Sequence, residues 1–200
     1  MTEIHYSLLI AFEPCILAFM SEEKKAVWVA AGYQWFAESG PDSLNVLTLA
    51  RLIGKNKSSF YHYFGDLPGY IEELLHHHHG QAQALAQQVA DAQTITPDVL
   101  NALLHYQQGI FFQRQLCINR HQAQYKASYE AAYGLFKSQI LTRWVHFLGF
   151  PDKLKFAEAF FDLIAENFLL RITPAHYTYP WMEQYLNEVL RMVASLKTQP

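Results

Sequence analysis

Lys57, Ser58 and Ser59, with Tyr61, His62 and Tyr63 close behind, put a cation, two small hydroxyls, two phenols and an imidazole into one short stretch. On a helix these side chains share the outward face and its rim, because Phe60 and Phe64, four apart, claim the inward face. A helix whose first turn offers small polar side chains and a lysine fits the major groove of duplex DNA. Lysine can approach the guanine acceptors there, and serine bonds less selectively. The chemistry suited to this pattern is reading and holding nucleic acid rather than making or breaking bonds.

Two helices and a tight turn are needed to aim that face. Asn45 suits the N-cap of a helix with Val46, Leu49, Ala50 and Ile53 turned inward. Gly54 supplies the positive φ that ends it, and Asn56 caps the helix that follows.

The order Leu49-Ala50, Gly54, a capping residue, small polar residues, Tyr61, Phe64 and then Gly65-Asp66 resembles the N-terminal domain of TetR-like transcriptional regulators, without a gap in spacing. Ser21 to Gly40 resembles that family's first helix, with Ala26, Val29, Ala30, Trp35 and Phe36 on one face; the likeness ends near Tyr70. It implies an all-α protein with a three-helix, helix-turn-helix DNA-binding domain over residues 21–67 and a larger helical ligand-binding and dimerisation domain over 68–200. Residues 1–20 stand before these as an apolar extension. The resemblance further implies that Asn45, Thr48 and the amide end of the second helix hold phosphates. Lys57, Ser58 and Ser59 then meet base edges, and Tyr61, His62 and Tyr63 sit by the backbone. Tyr61 packing on the first helix and Ser58 supporting the cap are the structural alternatives.

The chain departs from the family pattern at Lys55, where a small apolar residue is usual. It departs again at Leu67-Pro68, where a lysine usually touches phosphate; Lys55 is placed to replace that contact. Lys24, Lys25, Arg51, Lys55 and Lys57 are matched by Glu22, Glu23, Glu38, Asp42 and Asp66, so Ser21 to Tyr70 is formally neutral. Phosphate neutralisation supplies much of DNA affinity, so binding is expected to be weak unless Lys55 and Lys57 both face the duplex.

Composition sets outer bounds. The 200 residues, 51% apolar and 15% aromatic, suffice for one sizeable core or for a small and a larger helical domain. A net charge of -3 gives no global attraction to nucleic acid or anionic membrane, so any DNA contact is local. Cys15 and Cys117 form neither a disulfide framework nor a zinc motif; both are read as buried thiols, and a reducing cytoplasm is the simplest location. The apolar run in residues 1–20 lacks a basic leader and is interrupted by Glu13-Pro14, which argues against export and spanning. It reads as an extra helix or arm packed on the protein or its twin; the absence of Lys or Arg disfavours the other reading, a membrane-surface anchor.

Downstream, the signals stay helical. Asp66 caps a long helix with Pro68 in its first turn, reaching about Gln93 along Ile71, Leu74, Leu75, Ala82, Leu85 and Val89. Thr96-Pro97-Asp98 opens another through Leu100, Leu103, Leu104 and Phe111. A third runs from Gln122 to Leu148, stopped by Gly149 and Pro151. The last two run from Asp152 to Ile172 and from Pro180 to Leu196. With no flexible linker, the long fourth helix is expected to join the two domains.

Phe156, Phe160, Ile164 and Phe168, with Met182, Leu186, Val189, Val193 and Leu196, form two apolar stripes. TetR-like proteins pair these helices into a four-helix bundle, so the resemblance implies a homodimer and a palindromic double-stranded operator with half-sites about 34 Å apart. Tyr125, Tyr129, Tyr133, Phe136, Ile140, Trp144 and Phe147 form an aromatic stripe at steps of three and four. Plain core packing explains it. So does a cavity for a largely neutral aromatic or lipophilic ligand, which better accommodates the hydroxyls. His105, Gln108, Phe111 and Phe112 can face the same space, with Glu166 the lone acid in an apolar stretch. The family's usual mechanism is ligand binding that tilts the fourth helix and releases the operator.

The run His76 to His79 points in four directions on a helix and lacks the convergent ligands of a zinc site. His78 alone falls on the apolar stripe, as a half-buried group near the domain joint. No nucleophile elbow, phosphate loop, dinucleotide fingerprint or zincin motif is present, so neither enzyme activity, metal nor cofactor is expected. The competing readings are a TetR-shaped helical interaction module and a lipid-responsive protein, each without DNA binding.

Overall fold

A computed structural model describes residues 22–150 and 152–197. The readings made of residues 1–20, including Cys15, and of Pro151 and the Leu196 side chain lie outside the described parts. Among the described residues there is no strand, and the protein is all-α. The helices are α1 (22–39), α2 (Val46–Leu52), α3 (Lys57–Phe64), α4 (Leu67–Asp91), α5 (Leu100–His105), α6 (Gln107–Ile118), α7 (Ala123–Leu148), α8 (Leu154–Arg171) and α9 (Tyr179–Lys197). None is long and apolar enough to cross a membrane.

The inward face of α1 is rotated from the expected one. Trp28, Val29, Tyr33, Phe36 and Ala37 are buried, whereas Ala26 and Ala30 face solvent and Trp35 is half-buried. Trp28 and Tyr33 carry far more apolar area than two alanines, so their burial sets the orientation. The helix can lie this close to α4 because residue 32 is glycine: a Cβ there would overlap the buried Tyr70 hydroxyl, which donates to the Trp28 carbonyl.

Side-chain caps define α2, α3 and α4. Asn45 Oδ1 accepts from the amides of Leu47 and Thr48, Asn56 Oδ1 from that of Ser59, and Asp66 Oδ1 from that of Gly69. Between α2 and α3, Gly54 adopts φ +65, as its place after the first helix requires. Leu49 and Ala50 are buried, Val46 and Ile53 pack on the core from half-buried positions, and Phe60 and Phe64 fill the space under α3.

The helix expected from Thr96 through Phe111 is broken. Asp98 caps backwards, its Oδ2 accepting from the amides of Gln93 and Thr94 and from the Thr94 hydroxyl. The segment Ile95–Val99, with Thr96 extended (φ -117, ψ 114), leads into α5, and Tyr106 (φ -93, ψ 26) separates α5 from α6. This corner turns α6 onto α7 and α8 while α5 meets α9. At its end α7 stops on Gly149 at φ +68.

Buried side chains form one continuous cluster from Trp28 to Val193, with α4 lying along α7. The contact between the first three helices and the rest is wider than α4 alone. Phe112 of α6 stacks on both Tyr33 and Phe36 of α1, with ring centroids 4.4 and 4.0 Å apart. Lys25 of α1 pairs with Glu73 of α4 at 2.8 Å.

Candidate functional site

The outward face of α3 rests on an aromatic platform. Phe60 meets Trp28 edge-on at 5.3 Å, Tyr70 at 5.0 Å and Phe64 at 5.1 Å, and is fully buried. Lys57, Ser58, Tyr61 and His62 are exposed, with Ser59 and Tyr63 at the half-buried rim. Lys55 projects from the turn beside them, and neither lysine makes an ion pair among the described residues. Ser59 is committed to the cap, its hydroxyl donating to the Asn56 carbonyl at 2.8 Å. Thr48 likewise donates its hydroxyl to Asn45 Oδ1. These two polar groups are therefore partly spent on local structure, whereas the exposed Lys55, Lys57 and Ser58 side chains make no hydrogen bond among the described residues. Tyr61 is 52% exposed although its ring touches Phe60.

A second region is an apolar cavity of about 140 Å³, partly open to solvent, lined by α4, the Ile95–Val99 segment, α5, α6, α7, α8 and α9. Leu85, Ile110, Phe136, Trp144, Phe161 and Met182 are among its walls. Engineered apolar cavities of similar size, about 150 Å³, stay dry and admit benzene. Of the aromatic stripe, Tyr133, Phe136, Ile140 and Trp144 line the space, whereas Tyr125, Tyr129 and Phe147 do not. Tyr125 instead packs against Phe36, Tyr129 stacks on Tyr133, and Phe147 stacks on Trp144.

The structure scatters the other expected lining residues. His105 and Gln108 are exposed, Phe111 packs on Tyr177, and Phe112 belongs to the stack with Tyr33 and Phe36. The helix break at Tyr106 explains the dispersal, since α6 is phased independently of α5. Glu166 forms an ion pair with Arg120 at 2.6 Å, which holds its carboxyl below the ordinary range. The Tyr133 hydroxyl donates to Asp162 at 2.6 Å, and the Tyr185 hydroxyl to the Ile164 carbonyl at 2.8 Å, so both phenols enter the cavity wall already satisfied.

Sequence reasoning missed the polar corner of this cavity. His78 of α4 is 3% exposed rather than half-buried, and Gln113 of α6 lies against it. Tyr33 Oη lies 2.9 Å from His78 Nδ1, His78 Nε2 lies 2.8 Å from Gln113 Oε1, and Gln113 Nε2 donates to the Tyr129 carbonyl at 3.0 Å. Burial pushes the His78 imidazole down to about 4, with smaller contributions from its histidine neighbours and a counteracting bond from Gln113. The available signal was a histidine on an apolar stripe, but its partners come from two other helices. His76, His77, His78 and His79 do diverge, and no group of three metal-ligating side chains forms among the described residues. Cys117 is buried, and burial raises its thiol pKa.

Of the expected dimer-seam residues, Ile164, Met182, Val189 and Val193 are buried within this chain. Phe160, Phe168 and Leu186 are half-buried, and Phe156 is exposed. The most exposed large apolar residues on α8 and α9 are Leu163, Leu154, Leu170 and Met192. No family model matches this chain, and no curated protein sequence does either.

Proposed function

We propose that the protein is a TetR-like, ligand-responsive transcriptional regulator, most simply a repressor, that binds a palindromic operator as a homodimer. The observation that carries this reading is the exposed polar set Lys55, Lys57, Ser58 and His62 on and before a short helix seated on the core by Phe60 and Phe64. The first turn of α3 would enter the major groove, and Asn45 and Thr48 would lie by phosphates. The apolar cavity would hold a largely neutral aromatic or lipophilic effector, since its walls offer no free charge. Leu163 and Leu170, seven apart on α8, together with Met192 on α9, would contribute to pairing of two copies alongside Phe156.

The test is selection of bound sites from random duplex DNA, repeated with Lys57→Ala and across salt. An enriched palindrome that weakens as salt rises and is lost in the variant supports the reading. A folded dimer that enriches no sequence at low salt refutes it. That outcome would favour an interaction module of the same shape, the reading suggested by Leu67 and by the equal numbers of acids and bases in residues 21–70.

A further inference from the structure

The buried hydrogen-bond chain at the cavity corner has a fixed polarity. A backbone carbonyl can only accept, so the Tyr129 carbonyl orients the Gln113 amide with its nitrogen toward α7. Gln113 Oε1 therefore faces His78 Nε2, which must carry the proton and donate. That leaves His78 Nδ1 bare, an acceptor for the Tyr33 hydroxyl. The chain runs from α1 through α4 and α6 to α7, and the His78 ring is held by stacking on Phe112 at 4.6 Å.

Of the four members, Gln113 alone keeps an unused N–H or O–H donor. Gln113 uses one of its two N–H groups and one of two lone pairs in bonds to protein. Its side chain lines a cavity whose phenols Tyr133 and Tyr185 are engaged elsewhere. Gln81 and Tyr106 also border the space, but both are half-buried. A hydroxyl or carbonyl brought in by a mostly hydrocarbon guest is itself costly to bury without a partner, and the free N–H of Gln113 supplies one.

We propose that the cavity selects an uncharged, largely hydrocarbon ligand with one terminal oxygen, that this oxygen accepts from Gln113 Nε2, and that the contact is transmitted through His78 to Tyr33 of α1. This deepens the effector site of the proposed regulator and rests on that reading for its biological use. The transmission is specific in origin: a guest that fills the cavity without touching Gln113 leaves the chain as it is, whereas one that bonds to Gln113 shifts the amide to which His78 donates. Tyr33, outside the cavity, then feels the ligand through two hydrogen bonds.

Calorimetric titration with p-cresol and toluene, which differ by one hydroxyl, tests the site. p-Cresol is expected to bind about fivefold more tightly to the wild-type protein, and Gln113→Met to reverse that order. Hydrogen exchange of α1 amides tests the transmission. p-Cresol alters protection around Tyr33, toluene does not, and Tyr33→Phe abolishes the effect although p-cresol still binds. Equal binding of the two probes by the wild-type protein, binding of neither, or an α1 response that survives Tyr33→Phe overturns the proposal. No DNA enters either measurement, so failure here is distinct from failure of the operator-binding reading.

Discussion

His78 should make the protein sensitive to mild acid. Its imidazole is buried and neutral, held at about 4, whereas in the unfolded chain it titrates near 6.5. Between those values the unfolded state binds a proton that the folded state refuses, so stability is full above about pH 7 and falls as the pH drops. With these two values the loss between about pH 7 and about pH 5 is roughly 2 kcal/mol. The effect should level off near pH 4, where the folded imidazole also takes up its proton. His77 is shifted in the same direction by burial and adds to the total, so the contribution of His78 must be isolated by substitution.

His78→Gln is the informative variant. A glutamine at this place can still accept from Tyr33 and donate to Gln113, keeping the chain's polarity while removing the titrating group. Urea unfolding of wild type and variant at both pH values gives the double difference. The expected result is that the variant loses about 2 kcal/mol less than wild type on acidification. Parallel losses in the two proteins would refute a buried, neutral His78, even if the variant were less stable at both pH values.

Three further outcomes follow from the packing and from the exposed face of α3. Gly32→Ala places a methyl group where the buried Tyr70 hydroxyl sits, and should destabilise by about 2 kcal/mol, read as a lowered urea midpoint; an unchanged midpoint would contradict the close approach of α1 and α4. Lys57→Ala should weaken DNA binding and relax sequence preference, since the first turn of α3 would meet base edges; an unchanged preference with the slope of log K against log salt reduced by about one would place the ammonium at a phosphate instead. Ala165→Leu adds bulk to the cavity wall, so toluene binding should fall at least tenfold in calorimetry while the fold is retained; undiminished binding would put the guest elsewhere.

What the sequence made legible was local. Asn45, Asn56 and Asp66 cap the helices they precede, Gly54 and Gly149 end the helices they follow, and the boundaries of α7 and α9 fall within a residue or two of the expected ones. These features depend on residues a few positions apart. The break at Tyr106 was not legible, because neither Pro nor Gly stands at it and Leu104 and Phe111 keep helical spacing across it. Its consequence was larger than its size: His105 and Gln108 end up exposed, and Gln113 arrives at the cavity. The inward side of α8 was similarly ambiguous, because that helix carries apolar residues all round, and the apolar stripe of α9 could meet either this chain or a second copy. Only the packed neighbours decide that Met182 and Val189 turn inward while Leu163 and Leu170 remain outside.

The continuity of the core constrains how an effector could move α3. Were α4 the sole joint, tilting it would carry the first three helices along as a rigid group. Yet α1 is fastened to α4 by the Lys25–Glu73 pair, the Tyr70 hydroxyl bond and the Tyr33–His78 bond, and to α6 by the stack of Tyr33 and Phe36 on Phe112. Stacked rings slide at less cost than close-packed aliphatic side chains interpenetrate, whereas a buried hydrogen bond must be replaced or lost at about 1–3 kcal/mol. Moving α1 and α4 together across the face of Phe112 keeps the bonds between those two helices, but it must loosen the buried His78–Gln113 bond that ties α4 to α6. Gln113 lies one residue further along the helix that carries this face, and it is also a buried cavity residue with spare hydrogen-bonding capacity. On the proposed reading, a ligand that engages Gln113 would act on the bond that ties α4 to α6 at this surface, and loosening it would let α3 shift without separating α1 from α4.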